Sequence, residues 1–171
     1  LATEDNWQGF DDAWSRLIAA AGPVDDLLVA LDIVGGKRRI SRCMALAREH
    51  ADALAKAGRS ADAALVLGSA LRAGGPVNEL CEPLMRHAEA AWSAEPWWSA
   101  FCELSGLRRD AGDVRKAWLF FDDMRSYDVG VVVFHAAGWG VGDVVELSHA
   151  TLEVGIHFQS GRNDRFPLRT A

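Results

Sequence analysis

The stretch FHAAGWGVGDVVEL, residues 134–147, has the glycine pattern most suggestive of chemistry, because closely spaced glycines can cradle a phosphate with backbone N–H groups. A dinucleotide-binding turn needs G-x-G-x-x-G between a strand and a helix, and a P-loop ends in Gly-Lys-Ser/Thr. Here Gly138, Gly140 and Gly142 follow G-x-G-x-G, and the next residues, DVVEL, are strand-like. We therefore expect no nucleotide and no other cofactor. The glycines are interpreted as permitting a bulge and a close backbone approach, with Trp139 over the mouth of a small barrel.

Three histidines in the same region, His135, His149 and His157, could supply nitrogen ligands to zinc. Zinc sites draw their ligands from short fixed spacings or converging loops, with a carboxylate behind them. His135 and His157 fall on different predicted strands and His149 has no partner motif, so we predict no metal. His135 is interpreted as a buried or half-buried strand residue whose ring nitrogen bonds to the glycine turn. There is no G-x-S-x-G motif, and paired aspartates at helix starts are explained as caps, so we predict no catalytic residues and no enzyme.

Aromatic residues are dense in this region, at Tyr127, Phe134, Trp139, Phe158 and Phe166. They could frame a cage for a methylated cation, since such cations bind over aromatic faces. The alternative is that they fill the core of a very small domain, in which case Trp139 is the only one we expect to be accessible.

The segment KRRISR, residues 37–42, places cations at Lys37, Arg38, Arg39 and Arg42 at a predicted helix start. Cations are unfavourable at a helix N-terminus, which favours a partner with negative charge. The alternative is an ordinary solvated face.

The adjacent Trp97 and Trp98 follow Pro96 at the start of another predicted helix. Neighbouring side chains on a helix cannot both face the same core. One tryptophan should therefore cover a neighbouring helix, while the other is a candidate anchor for a protein interface.

The elements that must position these residues change in type near residue 126. Up to residue 125 the apolar residues follow a helical period and predict seven helices with short loops, with Pro23 as a first helical residue and Ser60 as an N-cap. Past Tyr127, the segments VVVFH, DVVEL, TLEVGIHF and RFPL are strand-like, and so short a region can bury its apolar faces only by curling into a barrel. We predict an α+β, mainly α chain, with a helical domain over 1–126 and a small β-barrel over 127–171.

Two helical segments share a glycine, then an alanine five residues on, then a bulky apolar residue four after that. The two sets are Gly58, Ala63, Leu67 and Gly112, Ala117, Phe121. This pattern resembles the tetratricopeptide (TPR) repeat, which implies a solenoid of about seven helices. The two sets are further apart than one repeat, and Ala47 stands where the family has an aromatic residue. The alternative is the stripe common to all amphipathic helices.

The C-terminal region carries a pattern of apolar residues, a histidine and Gly-Trp-Gly-x-Gly-x-Val. The matching residues are Val133, His135, Gly138, Trp139, Gly140, Gly142, Val144, Phe158, Gly161, Phe166 and Leu168. It resembles the small barrel beside the Gre domain in long Gre-type bacterial transcription elongation factors, and the CarD-like, Tudor-like module that docks on the RNA polymerase β subunit. His157 and Arg165 depart from the family, which usually has Asp and His there.

Charge and composition limit the partners. The net charge is −6, with no basic excess in either predicted domain, which disfavours direct nucleic-acid binding. Three cysteines without close spacing predict free thiols, and no apolar run is long enough for a membrane span, so we expect a cytoplasmic protein with no membrane contact. Because it begins with Leu1, the chain is expected to be part of something longer.

These observations predict a non-catalytic module that docks a bacterial transcription elongation factor onto RNA polymerase, through its β subunit, or onto an associated protein. The alternative is a TPR-like scaffold unrelated to transcription. The predicted interaction residues are Trp139, His135, Phe158, Arg162, Phe166, Trp97, Trp98, Lys37, Arg38 and Arg39.

Overall fold

The computed structural model of the chain describes residues 6–108, 112–136 and 138–168. These ranges contain seven helices: α1 (Trp7–Ala20), α2 (Asp25–Gly36), α3 (Ile40–Lys56), α4 (Ser60–Arg72), α5 (Val77–Trp92), α6 (Trp98–Ser105) and α7 (Val114–Ser126). Four strands follow: β1 (Val132–His135), β2 (Gly140–Ser148), β3 (Glu153–Phe158) and β4 (Asn163–Pro167). The prediction of a mainly helical chain followed by a small antiparallel β region is confirmed.

Some predicted helix starts were wrong. Pro23 lies outside α2, whose N-cap is Val24, and Ser60 is the first residue of α4 instead of its cap. Lys37 does not begin α3. Arg38 adopts a left-handed φ of 55°, and the N–H of Arg39 bonds to the Val34 carbonyl at 3.1 Å, so residues 37–39 close the C-terminus of α2.

The chain forms two compact units, residues 1–94 and residues 95–171. The first holds α1 to α5, and the second holds α6, α7 and the four strands. The change from helix to strand falls between Ser126 and Val132, as the periodicity predicts. A domain boundary at 126/127 stays a prediction, because the compact units divide at a different place.

The core of the first unit is centred on α4, which packs against α2, α3 and α5. Its fully buried residues are Ala63, Ala64, Val66, Leu67, Ala70 and Leu71. The guanidinium of Arg59, just before α4, donates to the carbonyl oxygens of Ala21 and Gly22 and pairs with Asp62 at 2.6 Å. This one side chain therefore ties the α1–α2 connection to α4. Whether these hairpins form a TPR-like array stays a prediction.

A buried imidazole joins α1 to α3. His50 is fully buried, and its Nδ1 accepts a hydrogen bond from the indole N–H of Trp14 at 3.1 Å. Burial lowers the pKa of His50, and the charge of Arg59 lowers it further. Because Nδ1 must keep its lone pair to accept this bond, the bond and the burial both favour the uncharged imidazole.

The sheet of the second unit is antiparallel, in the order β1-β2-β3-β4. Val144, Val154, Ile156 and Phe158 are buried on one of its faces. Within the described residues β1 and β4 are the two edges, so the sheet is open and closure into a barrel stays a prediction. His149, after β2, lies 6.3 Å from Trp97 and 6.0 Å from Phe101 between ring centroids, which joins the sheet to α6.

Candidate docking site

The glycine-rich turn joins β1 to β2 and gives β2 its close contact with β3. Gly138 and Gly140 have φ values of 100° and 78°, a region that favours glycine. A Cβ on Gly142 would lie 2.9 Å from the carbonyl oxygen of His157 and 2.7 Å from Ile156 Cγ2. The predicted close approach is therefore confirmed at Gly142. The bulge in β2 lies between Val144 and Glu146, beyond the glycines.

Five of the predicted interaction residues come together beside this turn. The rings of His135 and Trp139 stack with centroids 4.4 Å apart, and the Arg162 guanidinium carbon lies 3.6 Å from the indole centroid. Phe158 and Phe166 lie 5.6 Å and 5.4 Å from Trp139. We name these five residues the Trp139 cluster. Phe158 is fully buried and Trp139 is half-buried, so part of the cluster is interior packing.

The cluster differs from the predicted cation cage in two ways. Phe134 is 73% exposed, and neither it nor Tyr127 has a ring contact with the cluster in the described part of the chain. The indole of Trp139 already carries a cation of this protein, Arg162, which also pairs with Asp164. A cation from outside would have to displace that side chain.

His135 is connected to the turn differently from the prediction. Its carbonyl oxygen accepts a hydrogen bond from the N–H of Gly138 at 3.3 Å. Its Nδ1 is buried without a hydrogen-bond partner among the residues that the structure describes. The ring therefore contributes by stacking on Trp139, and the backbone makes the bond to the turn.

An apolar surface that the sequence reasoning missed lies on β1 and its surroundings. Four valine and phenylalanine side chains are more than half exposed: Val129 at 60%, Val132 at 64%, Phe134 at 73% and Val145 at 54%. We name these four residues the β1 strip. Val132 and Phe134 alternate along β1 and so share one face, opposite Asp143 and Val141 of β2. The hydrogen bond from Gly130 N–H to the Val144 carbonyl, 2.8 Å long, brings the segment before β1 beside Val145.

The backbone of this strand is open as well. Val144 N–H donates to the Val131 carbonyl at 2.9 Å, so Val131 occupies a hydrogen-bonded position of the β1–β2 pair. Pairs alternate along an antiparallel ladder, which directs the N–H and C=O groups of Val132 and Phe134 away from β2. An exposed apolar edge of this kind is a template for another chain. The sequence VVVFH could have indicated this exposed apolar strand. A strand with one solvated face should alternate apolar and polar residues, whereas VVVFH places apolar residues on both faces.

Trp97, the N-cap of α6, and Trp98, its first residue, both contact Phe121 of α7, and neither is largely exposed. Trp98 is 3% exposed and packs on Phe121 at 5.4 Å, with the Arg108 guanidinium 5.2 Å from its ring. Trp97 is half-buried, 4.9 Å from Phe101. Trp98 thus fills the core of its unit and is unavailable to a partner in this fold.

The basic segment has a local explanation. Lys37, Arg38 and Arg39 lie at the C-terminus of α2, where the helix dipole favours cations. Arg42, the third residue of α3, pairs with Asp11 at 2.6 Å. Arg39 is also the N-cap of α3, so the interpretation of these cations as a site for an anionic partner stays a prediction. Arg38 and Arg39 are exposed.

The remaining groups with possible chemistry are dispersed. No three His, Cys, Asp or Glu side chains converge as metal ligands in residues 6–108, 112–136 and 138–168. His157 Nδ1 lies 2.6 Å from Asn163 Oδ1. Cys43, Cys81 and Cys102 form no disulfide within the described residues, and burial raises the pKa of Cys43 to about 11.

Comparison of the chain with protein-family models, with curated proteins and with solved structures found no match. Among the described helices, none combines the length and the apolar character needed to cross a membrane.

Proposed function

We propose that this chain is a non-catalytic docking module whose second unit binds a protein partner through the β1 strip. The observation that carries the proposal is the exposure of Phe134, 73%, on an edge strand. Aromatic side chains, phenylalanine among them, are enriched in the buried centre of protein interfaces. Val132 and Val145 extend the apolar area, and the open edge of β1 offers backbone hydrogen bonds to an added strand.

We propose RNA polymerase, through its β subunit, as the partner, with the chain acting as part of a bacterial transcription elongation factor. This rests on the resemblance of the glycine-tryptophan pattern to the small CarD-like, Tudor-like barrel of long Gre-type factors. The patterned residues Trp139, His135, Phe158 and Phe166 form one cluster around the β1–β2 turn, which supports a shared structural role. The separate pattern of glycine, alanine and a bulky apolar residue, at Gly58, Ala63 and Leu67 and again at Gly112, Ala117 and Phe121, supports a TPR-like array in the helices.

The test is the affinity of the full chain for purified RNA polymerase β subunit, measured by isothermal titration calorimetry. Phe134→Ser should weaken binding by ~2 kcal/mol or more, about thirtyfold, as for an interface anchor. Val29→Ser is the matched control, because Val29 is 62% exposed but lies on α2 in the other unit. The free energy of unfolding of each variant should lie within about 0.5 kcal/mol of that of the parent chain, as is usual for surface substitutions.

Two results would count against the proposal separately. Absence of binding by the parent chain would remove the polymerase as partner. Binding that Phe134→Ser leaves unchanged would remove the β1 strip as the contact surface.

A further inference from the structure

A small cavity opens in the first unit between α3 and α5, with α4 as its floor. Its volume is about 120 Å³. By the same measure a single water needs about 10–15 Å³, so the cavity has room for a ligand of several heavy atoms. Leu67 and Pro83 give it an apolar lining, while Arg48, Asp52, Arg86 and His87 give it polar groups.

The two arginines stand on facing helices at the mouth of the cavity. Their side chains are 46% and 56% exposed. Arg48 pairs with Glu79 at 2.8 Å and Arg86 with Glu82 at 3.4 Å. Exposed ion pairs of this kind contribute little to stability, so a ligand carboxylate can share or replace these partners.

The wall of the cavity contains an unsatisfied buried group. His87 is 6% exposed, and its Nε2 is buried with no hydrogen-bond partner in the part of the chain that the structure describes. Buried polar atoms nearly always have a partner, and His87 lines the cavity, so we assign a bound ligand as the partner of this nitrogen. Asp52, on the facing helix, is exposed and makes no ion pair within the described residues.

We propose that this cavity binds the α-carboxylate end of a small apolar amino acid, either free or as the last residue of a peptide. The carboxylate lies between Arg48 and Arg86, which present fork-shaped donors suited to it. Asp52 accepts from the amino or amide N–H, and the side chain rests on Leu67 and Pro83. His87 supplies the remaining hydrogen bond. The two arginines thus match the ligand's carboxylate, Asp52 matches its nitrogen, and the apolar lining matches its side chain. This site is separate from the β1 strip and independent of the function proposed above.

The binding test uses three probes titrated into the full chain by calorimetry: L-valine, N-acetyl-L-valine and L-valinamide. Valinamide lacks the carboxylate and should bind at least tenfold more weakly than the better of the other two. Equal binding of valine and N-acetylvaline identifies the end of a peptide, because the acetyl group occupies the place of the preceding residue. At least tenfold tighter binding of valine identifies the free amino acid. Binding by none of the probes, or equal binding by valinamide, overturns the proposal.

Variants locate the ligand within the cavity. Arg48→Gln and Arg86→Gln should each weaken binding about tenfold, since both side chains are partly exposed and their removal leaves the core intact. Glu79→Gln releases Arg48 from its ion pair and should tighten binding, which a merely structural role of this pair would not produce. Arg72→Gln is the control, because Arg72 makes the same kind of ion pair, with Asp32 at 2.8 Å, and does not line the cavity. An equal loss in the control, or weaker binding by Glu79→Gln, overturns the site.

Discussion

The imidazole of His135 and the indole of Trp139 lie nearly parallel, with ring planes 11° apart and centroids 4.4 Å apart. This stack spans the turn between β1 and β2, so the glycines there bring the two rings together. Phe158 and Phe166 meet the indole from the sheet. Trp139 is therefore held by packing within the unit, and its contribution to stability can be separated from any contribution to binding.

Trp139→Ala should lower the free energy of unfolding by ~2–3 kcal/mol. This is somewhat less than the ~3–5 kcal/mol typical of a fully buried aromatic, because the side chain is half-buried. Denaturant unfolding of the full chain measures the change. Arg162→Ala is the control, since it removes only the exposed cation over the indole and should cost less than ~1 kcal/mol. A Trp139→Ala loss below ~1 kcal/mol would show that Trp139 is a surface residue, available to anchor a partner.

Gly142→Ala should destabilise the second unit by ~1–3 kcal/mol, the range for overpacking a tight contact. The added Cβ would lie 2.9 Å from the His157 carbonyl oxygen, a backbone atom that cannot rotate away. Gly36→Ala is the matched control, because no atom lies within 4 Å of its added Cβ and alanine is favoured in helices. Thermal unfolding of the two variants should therefore shift in opposite directions, and a neutral Gly142→Ala would contradict the close β2–β3 approach.

The elements of the fold were predictable because their signals are local. The helical period identifies α1 to α7, and β-branched runs identify the strands. The start of α3 was not predictable, because Arg38 adopts a left-handed φ, a conformation that is usually found at glycine. α2 ends at Gly36, and the left-handed turn at Arg38 follows it, so α3 begins only at Ile40.

The candidate site was predictable only in part, because the exposure of some of its residues depends on pairing between distant parts of the chain. The glycine-tryptophan pattern included four residues of the Trp139 cluster: His135, Trp139, Phe158 and Phe166. The exposure of Phe134 depends on β1 being an edge strand, and strand order is set by long-range pairing that no local pattern records. Similarly, which of Trp97 and Trp98 is buried depends on the exact phase of α6 against α7.

The stability of the first unit should fall as the pH decreases below 6.5. Burial lowers the pKa of His50 and of His87 from the ordinary value of 6.5, so the unfolded chain takes up these protons before the folded chain does. Their contribution to folding is complete above pH 6.5 and is lost as the pH falls through the lower pKa values of the folded state. Denaturant unfolding at several pH values between 5 and 7 measures how steeply the free energy of unfolding depends on pH.

His50→Asn separates this effect from the general acid sensitivity of the protein. The amide oxygen of Asn can accept the hydrogen bond from Trp14 without titrating, so the slope between pH 5 and 7 should become shallower while His87 still contributes. An unchanged slope would show that His50 does not titrate differently in the folded and unfolded chains.

Fragments 1–94 and 95–171 correspond to the two compact units, and each should show a cooperative denaturant transition. A fragment of residues 127–171 corresponds to the β region alone. It lacks Trp97 and Phe101, the rings that His149 contacts, so it should unfold without a cooperative transition.

Limited proteolysis of the full chain gives an independent answer. Residues 93–96 are all exposed, and cleavage there is expected if the compact units are the folding units. Cleavage concentrated at 126–129, together with a cooperative 127–171 fragment, would instead place the boundary where the helical period gives way to strands. The variant His149→Ala distinguishes the two boundaries, because His149 contacts Trp97 and Phe101. It should lower the stability of the β region only if α6 belongs to the same folding unit.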